Sequence, residues 1–322
     1  MSNVLMIKKK QHWLPCAYLN FFAIPDSGNG RKAKIHRVSN SGIHSREIEE
    51  EGYSNWHYRT KEENPNQSEG LFEIGEATYP LLIEKFLMGQ ILSKEEKINI
   101  LHFLILLHIR NPSYLNETDI SNFDKVQNIF AVLMEIMVDD WEILPESEDF
   151  DLSIMPEKVK KRFDETGLEL SKSDIWTAIV RNQILCDIWE LNFLKVLDGN
   201  LWTIDHPVIL LGIEPNVDVI LAPISPQFLA VAVDTRKYQI RNQWLTSHDE
   251  KTIVRLLASQ TQRFIYSSEA DKSKLSNLTN LLKNKSSSWQ SIVSEEGWIP
   301  QILQINKLRE LGLTFDFLLE LV

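Results

Sequence analysis

Cysteine is scarce in this chain of 322 residues: there are two, Cys16 and Cys186. Two cysteines make no disulfide framework and no paired Cys-x-x-Cys for zinc. Both sit among apolar residues and read as buried thiols. Long hydrophobic runs are missing as well. The most apolar stretch, residues 98–109, falls short of the roughly 17–25 residues that cross a bilayer, and it contains His102 and His108. It reads as a buried helix. No apolar stretch of signal-peptide length stands near the N-terminus, so a cytoplasmic location is expected and a membrane partner is not.

Basic residues are outnumbered: 34 Lys and Arg face 45 Asp and Glu, a net charge of −11. Such a surface repels phosphate backbones, which argues against broad nucleic-acid binding. The run Lys8-Lys9-Lys10 reads as a solvated terminus. There is no Gly-x-Ser-x-Gly elbow, no P-loop, no His-Glu-x-x-His and no internal repeat. Serine hydrolase, NTPase and zincin readings therefore have no support. Gly28-Asn29-Gly30 tempts a dinucleotide-binding reading, but that fingerprint opens a helix, and a strand pattern follows here.

What is present is an ordinary globular composition, 43% hydrophobic and 25% charged. To about residue 60 the pattern is strands and turns: Pro15 opens a short helix, and "KAKIHRV" alternates as a strand between turn-forming "SGNGR" and "SNSG". Residues 66–190 read as a helical layer. A first helix over 67–86 carries Pro80, and a second begins at the capping box Ser93-Lys94-Glu95-Glu96 and stops before Asn111-Pro112. Further helices are expected over 120–138 and 171–189, with an acidic loop over 144–156 between them. Residues 192–233 are rich in strands: a hairpin about Asp198-Gly199, a second pair of strands about 214–218, and "QFLAVAV". A helix over 249–266 follows, then a Ser-rich linker over 283–291 and a last helical segment over 299–322. The sum is an α+β fold, with a helical layer packed on a mainly antiparallel, hairpin-connected sheet. Residues 1–268 are expected to form one domain, and 269–322 a helical C-terminal extension.

The order of short signatures resembles a known family. "QHWLPCAYLNFF", "SEGLFEIGE", "IRNP", "WTIDHPVIL" and "LAPISPQFLAV" follow one another at spacings similar to those of the bacterial family domain of unknown function 4238, over roughly residues 10–268. Two positions depart from the family's usual pattern: His206 stands where an Asn precedes the Pro, and Leu256-Leu257 stand where an Asn often occurs. The resemblance points to positions and implies no reaction.

Four residues are the candidates for chemistry. His12 lies at a position that the resemblance singles out, and local pattern does not explain it. Glu69, Glu73 and Glu76 share one helical face and can be a solvated face or a carboxylate site; Glu76 is the one taken forward. Arg110 ends the apolar helix, where the helix dipole favours a cation and where a guanidinium fork could also hold phosphate. Asp205 follows a strand beside His206 and can brace the turn or act as base or ligand. His102 and His108, six apart on the buried helix, face differently and read as core histidines. If His12, Glu76, Arg110 and Asp205 converge, phosphodiester or nucleotide hydrolysis is the compatible reaction class. Glu76 and Asp205 would then hold a divalent cation or orient the histidine, and the substrate would be a small anionic or phosphate-containing molecule. In the alternative the same residues form a buried polar network in a non-catalytic domain. A protein partner would then meet exposed aromatics such as Trp289 and Trp298.

Overall fold

The alternating stretch Lys34–Ser39 forms strand β2, and it pairs antiparallel with β3, Gly42–Glu47, across the expected turn. Gly42, at φ 131°, supplies the turn conformation that side chains resist. The computed structural model describes residues 10–55, 67–109, 189–197, 201–213, 216–261, 263–283 and 302–321. Ahead of β2 lie β1, Lys10–His12, and a one-turn helix α1, Cys16–Leu19, with Pro15 at its N-cap. β1 pairs antiparallel with β4, Tyr53–Asn55, with His12 opposite Tyr53.

Two long helices follow. α2, Gln67–Leu87, carries Pro80 inside it, and α3 spans Lys94–Ile109. The capping box at the start of α3 is formed: the Glu96 amide donates to Ser93 Oγ at 3.2 Å, and the Ser93 amide donates to Glu96 Oε2 at 2.8 Å. The helix expected over 120–138, the acidic loop over 144–156 and the Ser-rich linker lie outside the described residues, as do Cys186, Trp289 and Trp298. So does the helix expected over 171–189, except that Trp189 begins strand β5, Trp189–Lys195.

Four more strands are β6, Thr203–Ile204; β7, Ile209–Ile213; β8, Asn216–Ser225; and β9, Phe228–Asp234. β7, β8 and β9 are joined by hairpins, and β5 pairs on the far side of β9. The hairpin expected about Asp198-Gly199 is not formed: β5 joins the sheet of β7–β9, whereas β6 joins that of β2 and β3. The Asp-Gly pair signals a change of direction, and strand partners are chosen by packing further away in the chain.

β8 and β9 are buried on both faces. Ile220, Ala222, Ala230 and Ala232 face a core shared with Tyr79, Ile83, Ile100, Phe103 and Leu104 of α2 and α3. Val219, Leu221, Val231 and Val233 face a second core. That second core includes Ile253, Leu256 and Leu257 of α4, Ser247–Gln260. The strands are therefore apolar at nearly every position, as strands covered on both sides are. The fold is α+β, with helices on both faces of its five-stranded sheet.

The helix expected over 249–266 is shorter. It ends at Gln260, and residues 265–267 form strand β11, Ile265–Ser267. β11 lies between β2 and β6 in a four-stranded sheet of order β3-β2-β11-β6. After helix α5, Lys272–Lys283, the chain expected to be helical over 299–322 has one short helix, α6, Ile305–Glu310. It is flanked by strands β12, Leu303–Gln304, and β13, Leu318–Glu320. β12 pairs in parallel with β7, and β13 pairs with β10, Tyr238–Ile240. The apolar alternation of so short a strand cannot be told from a helical stripe without its partner.

Candidate functional site

The site begins at a close crossing. Leu14 donates its amide to the Gly52 carbonyl at 3.1 Å. Gly52 has φ 58°, and a β-carbon there would come within 2.5 Å of Leu14 Cβ. Glycine is the residue this conformation and this approach allow. The crossing sets His12 beside residues 51–53. Its ring lies 5.5 Å from that of Tyr53, and its Nδ1–H donates to the Glu51 carbonyl at 3.1 Å. A carbonyl only accepts, so Nδ1 carries a proton and donates it. Cys16 Sγ is 3.9 Å from the same Nδ1. Burial pushes that thiol up to about 11, and nearby Arg31 lowers it while Glu76 raises it. The Cys16 thiol is therefore inert at neutral pH, and half-buried Glu76 is within electrostatic reach of the corner that holds His12.

Residues paired directly across strands share one face of a sheet. On the four-stranded sheet, His44, Arg37, Tyr266 and Thr203 are consecutive partners and form a row. Over this row lies Glu51, 2% exposed. Its Oε1 accepts from Arg37 Nη1 at 3.3 Å and from Arg46 Nε at 3.4 Å. Burial raises the Glu51 carboxyl, and Arg37, the Tyr266 hydroxyl and Arg46 oppose that rise. Arg37 also lies over the Phe264 ring, 4.8 Å from its centroid. At the inner end of the row, Thr203 Oγ1 and the Tyr18 hydroxyl are 2.7 Å apart, and Tyr18 donates to the Pro223 carbonyl at 2.6 Å.

Asp205 is buried just beyond β6. Its Oδ2 accepts from the amides of Arg263 at 2.6 Å and Phe264 at 3.1 Å, so the carboxylate braces the turn that leads into β11. Its charge also reaches the Tyr266 hydroxyl, which burial, Glu51 and Asp205 together hold well above the usual phenol range. His12 and Asp205 thus stand at the ends of one chain of neighbours through Glu51 and Tyr266. Arg110 and the side chains of Glu69 and Glu73 lie outside the described residues. Among the described residues, no group of three or more His, Cys, Asp or Glu could hold a metal ion.

His108, expected to be a core histidine, is coupled to His206, the imidazole beside Asp205. His206 Nε2 and His108 Nδ1 are 3.2 Å apart, and both side chains are buried. Burial lowers His206 to about 4, so His206 is neutral at pH 7. This bond ties the turn carrying Asp205 to the last turn of α3, two residues ahead of Arg110.

Sequence reasoning missed Arg37, Glu51, Tyr266 and Thr203. A signal for Arg37 was present: strand alternation in "KIHRVS" puts it on the face of buried Ile35, where a charge needs a partner. Glu51 looks like the end of a solvated acidic run, and Tyr266 seemed to lie in a helix.

Residues 10–271 match the model of the family described as Protein of unknown function (DUF4238), and the chain belongs to that family. No curated protein and no solved structure matches it.

Proposed function

We propose that this member of the DUF4238 family hydrolyses a phosphodiester or nucleotide by acid–base chemistry at the corner between β1 and β4. The observation that supports the reading best is the orientation of His12. Its Nδ1–H donates to the Glu51 carbonyl, and a neutral ring held in that tautomer acts as a base through Nε2. In the proposed step Nε2 takes a proton from water while the water oxygen bonds to phosphorus. The bond from phosphorus to the leaving oxygen breaks, and that oxygen takes up the proton from the imidazolium. Glu76 stabilises the imidazolium, and Arg110 compensates charge on the phosphoryl oxygens. Asp205 is a positioning residue, since its carboxylate already accepts two backbone amides. A cytoplasmic location in a bacterium goes with this reading. Its supports are the low cysteine count and the absence, among the described residues, of a helix long and apolar enough to cross a membrane.

The burial of Asp205 and Glu51 favours a second reading, in which the same groups are a structural network in a non-catalytic, protein-binding domain. One experiment separates the two. Purified protein is screened against phosphodiesters and nucleotides, with and without divalent cations, beside His12→Ala, Glu76→Ala, Arg110→Ala and Asp205→Ala. The hydrolase reading expects turnover that falls steeply in His12→Ala with little change in melting temperature. Full activity in a folded His12→Ala sinks that role. Absence of turnover with every substrate, together with sharply lowered melting in Arg110→Ala and Asp205→Ala, supports the structural network.

A further inference from the structure

We infer that Arg37 is an anion-binding residue of this site, and that its guanidinium receives the phosphate group of the ligand. The inference deepens the hydrolase reading and rests on it for the identity of the substrate.

The molecule contains a useful standard. Arg236 grips Asp234 as a two-point fork, with Nε at 3.1 Å from Oδ1 and Nη2 at 2.8 Å from Oδ2. Arg37 has no such fork. It meets Glu51 at one point, Nη1 to Oε1 at 3.3 Å, and its Nε is enclosed without a hydrogen-bond partner among the described residues. A guanidinium offers five N–H donors, and a buried one left unmade is costly. The side chain is 25% exposed, so part of it borders solvent, while its Nε is enclosed. It is also held in place, with Phe264 beneath it and Glu51 beside it. A planar fork fixed before the ligand arrives loses little freedom on binding.

Position ties Arg37 to the proposed reaction. The carbonyl of Glu51 orients His12, and the carboxylate of the same residue engages Arg37. The base and the cation are therefore set by one residue. Two other carboxylates of the network have commitments elsewhere. Asp205 accepts the amides of residues 263 and 264, and Glu50 pairs with Arg46 at 3.2 Å. Glu51 is the competitor that an incoming anion meets.

That competition makes the test specific. Binding of inorganic phosphate and of a nucleoside monophosphate, with the free nucleoside as control, is measured by calorimetry on the full chain. The variants are Arg37→Gln, Arg37→Lys and Glu51→Gln, each checked for an unchanged fold by circular dichroism. Both phosphate ligands are expected to bind the unaltered protein, with a loss of about 10-fold or more in Arg37→Gln. A partial loss is expected in Arg37→Lys, and tighter binding in Glu51→Gln, where a purely structural role for that pair predicts none. Unchanged affinity in folded Arg37→Gln, or no saturable phosphate binding by the unaltered protein, overturns the inference. Binding of inorganic phosphate but not of the nucleotide overturns the assignment to substrate. Phosphate binding that depends on Arg37 without any turnover leaves Arg37 as an anion site and removes the hydrolase.

Discussion

The two faces of the four-stranded sheet are made by alternate residues of the same strands, and they differ in kind. One face carries Val38, Ile265 and Ile204, fully enclosed with residues of α4 and α5. The other carries Arg37, Tyr266 and Thr203 beneath Glu51. The first face needs only volume and apolarity, and each enclosed side chain contributes about 1.5–3 kcal/mol. The second buries polar groups, each of which costs stability unless it is paired, and it returns little net stability. A fold that keeps such a face beside an easier alternative keeps it for specificity of packing or for chemistry.

Mutations can sharpen that contrast, beginning with the apolar face. Ile265→Ala removes a fully enclosed side chain and is expected to destabilise by about 2–5 kcal/mol, seen as a lower urea midpoint. Next in size is acid sensitivity. The folded His206 has a pKa lowered to about 4, so below about 6.5 the unfolded chain binds the extra proton first. Stability from this group is complete above about pH 6.5 and falls by at most about 1.4 kcal/mol per unit as pH drops toward 4. Urea midpoints at several pH values should show this slope, and a His206→Asn variant should reduce it. Glu51→Gln keeps the shape but removes the charge that faces Arg37 and Arg46, and should cost about 1–3 kcal/mol. A cost as large as that of Ile265→Ala would erase the proposed difference between the faces. The smallest effect is expected from Thr203→Val, which keeps the volume and deletes the contact with Tyr18, about 0.5–1.5 kcal/mol in melting experiments.

Much of the local structure was legible. The alternation in "KIHRVS", the capping box at Ser93 and Glu96, and the hairpins β7–β8 and β8–β9 depend on neighbours a few residues apart. The β5–β6 connection was misjudged for the opposite reason. Asp198-Gly199 is turn chemistry in the sequence whichever sheet each strand joins, and the sheets are chosen by residues 228–234 for one and 265–266 for the other. The first two residues of β11 fall within the helix expected over 249–266, and it is their pairing with β2 and β6 that makes them a strand. Of the candidate site, the sequence pointed to His12, Glu76, Arg110 and Asp205. Glu51, the partner of His12, escaped notice because nothing around it in the chain is distinctive, and Arg37 was passed over although strand alternation sets it on the face of buried Ile35.

The amino-acid order settles which segments are strands or helices wherever spacing, caps and turn residues agree, because those preferences act over one or two turns of backbone. It also places a histidine beside a Pro-Cys helix start and a glycine at position 52. That these two segments cross, that one carbonyl fixes the imidazole, and that Glu51 lies between two arginines are outcomes of the assembled fold. The physical reason is distance along the chain. His12 and Glu51 are separated by 39 residues, and Asp205 and Phe264 by 59, so these bonds form where packing of the sheets brings their backbones together.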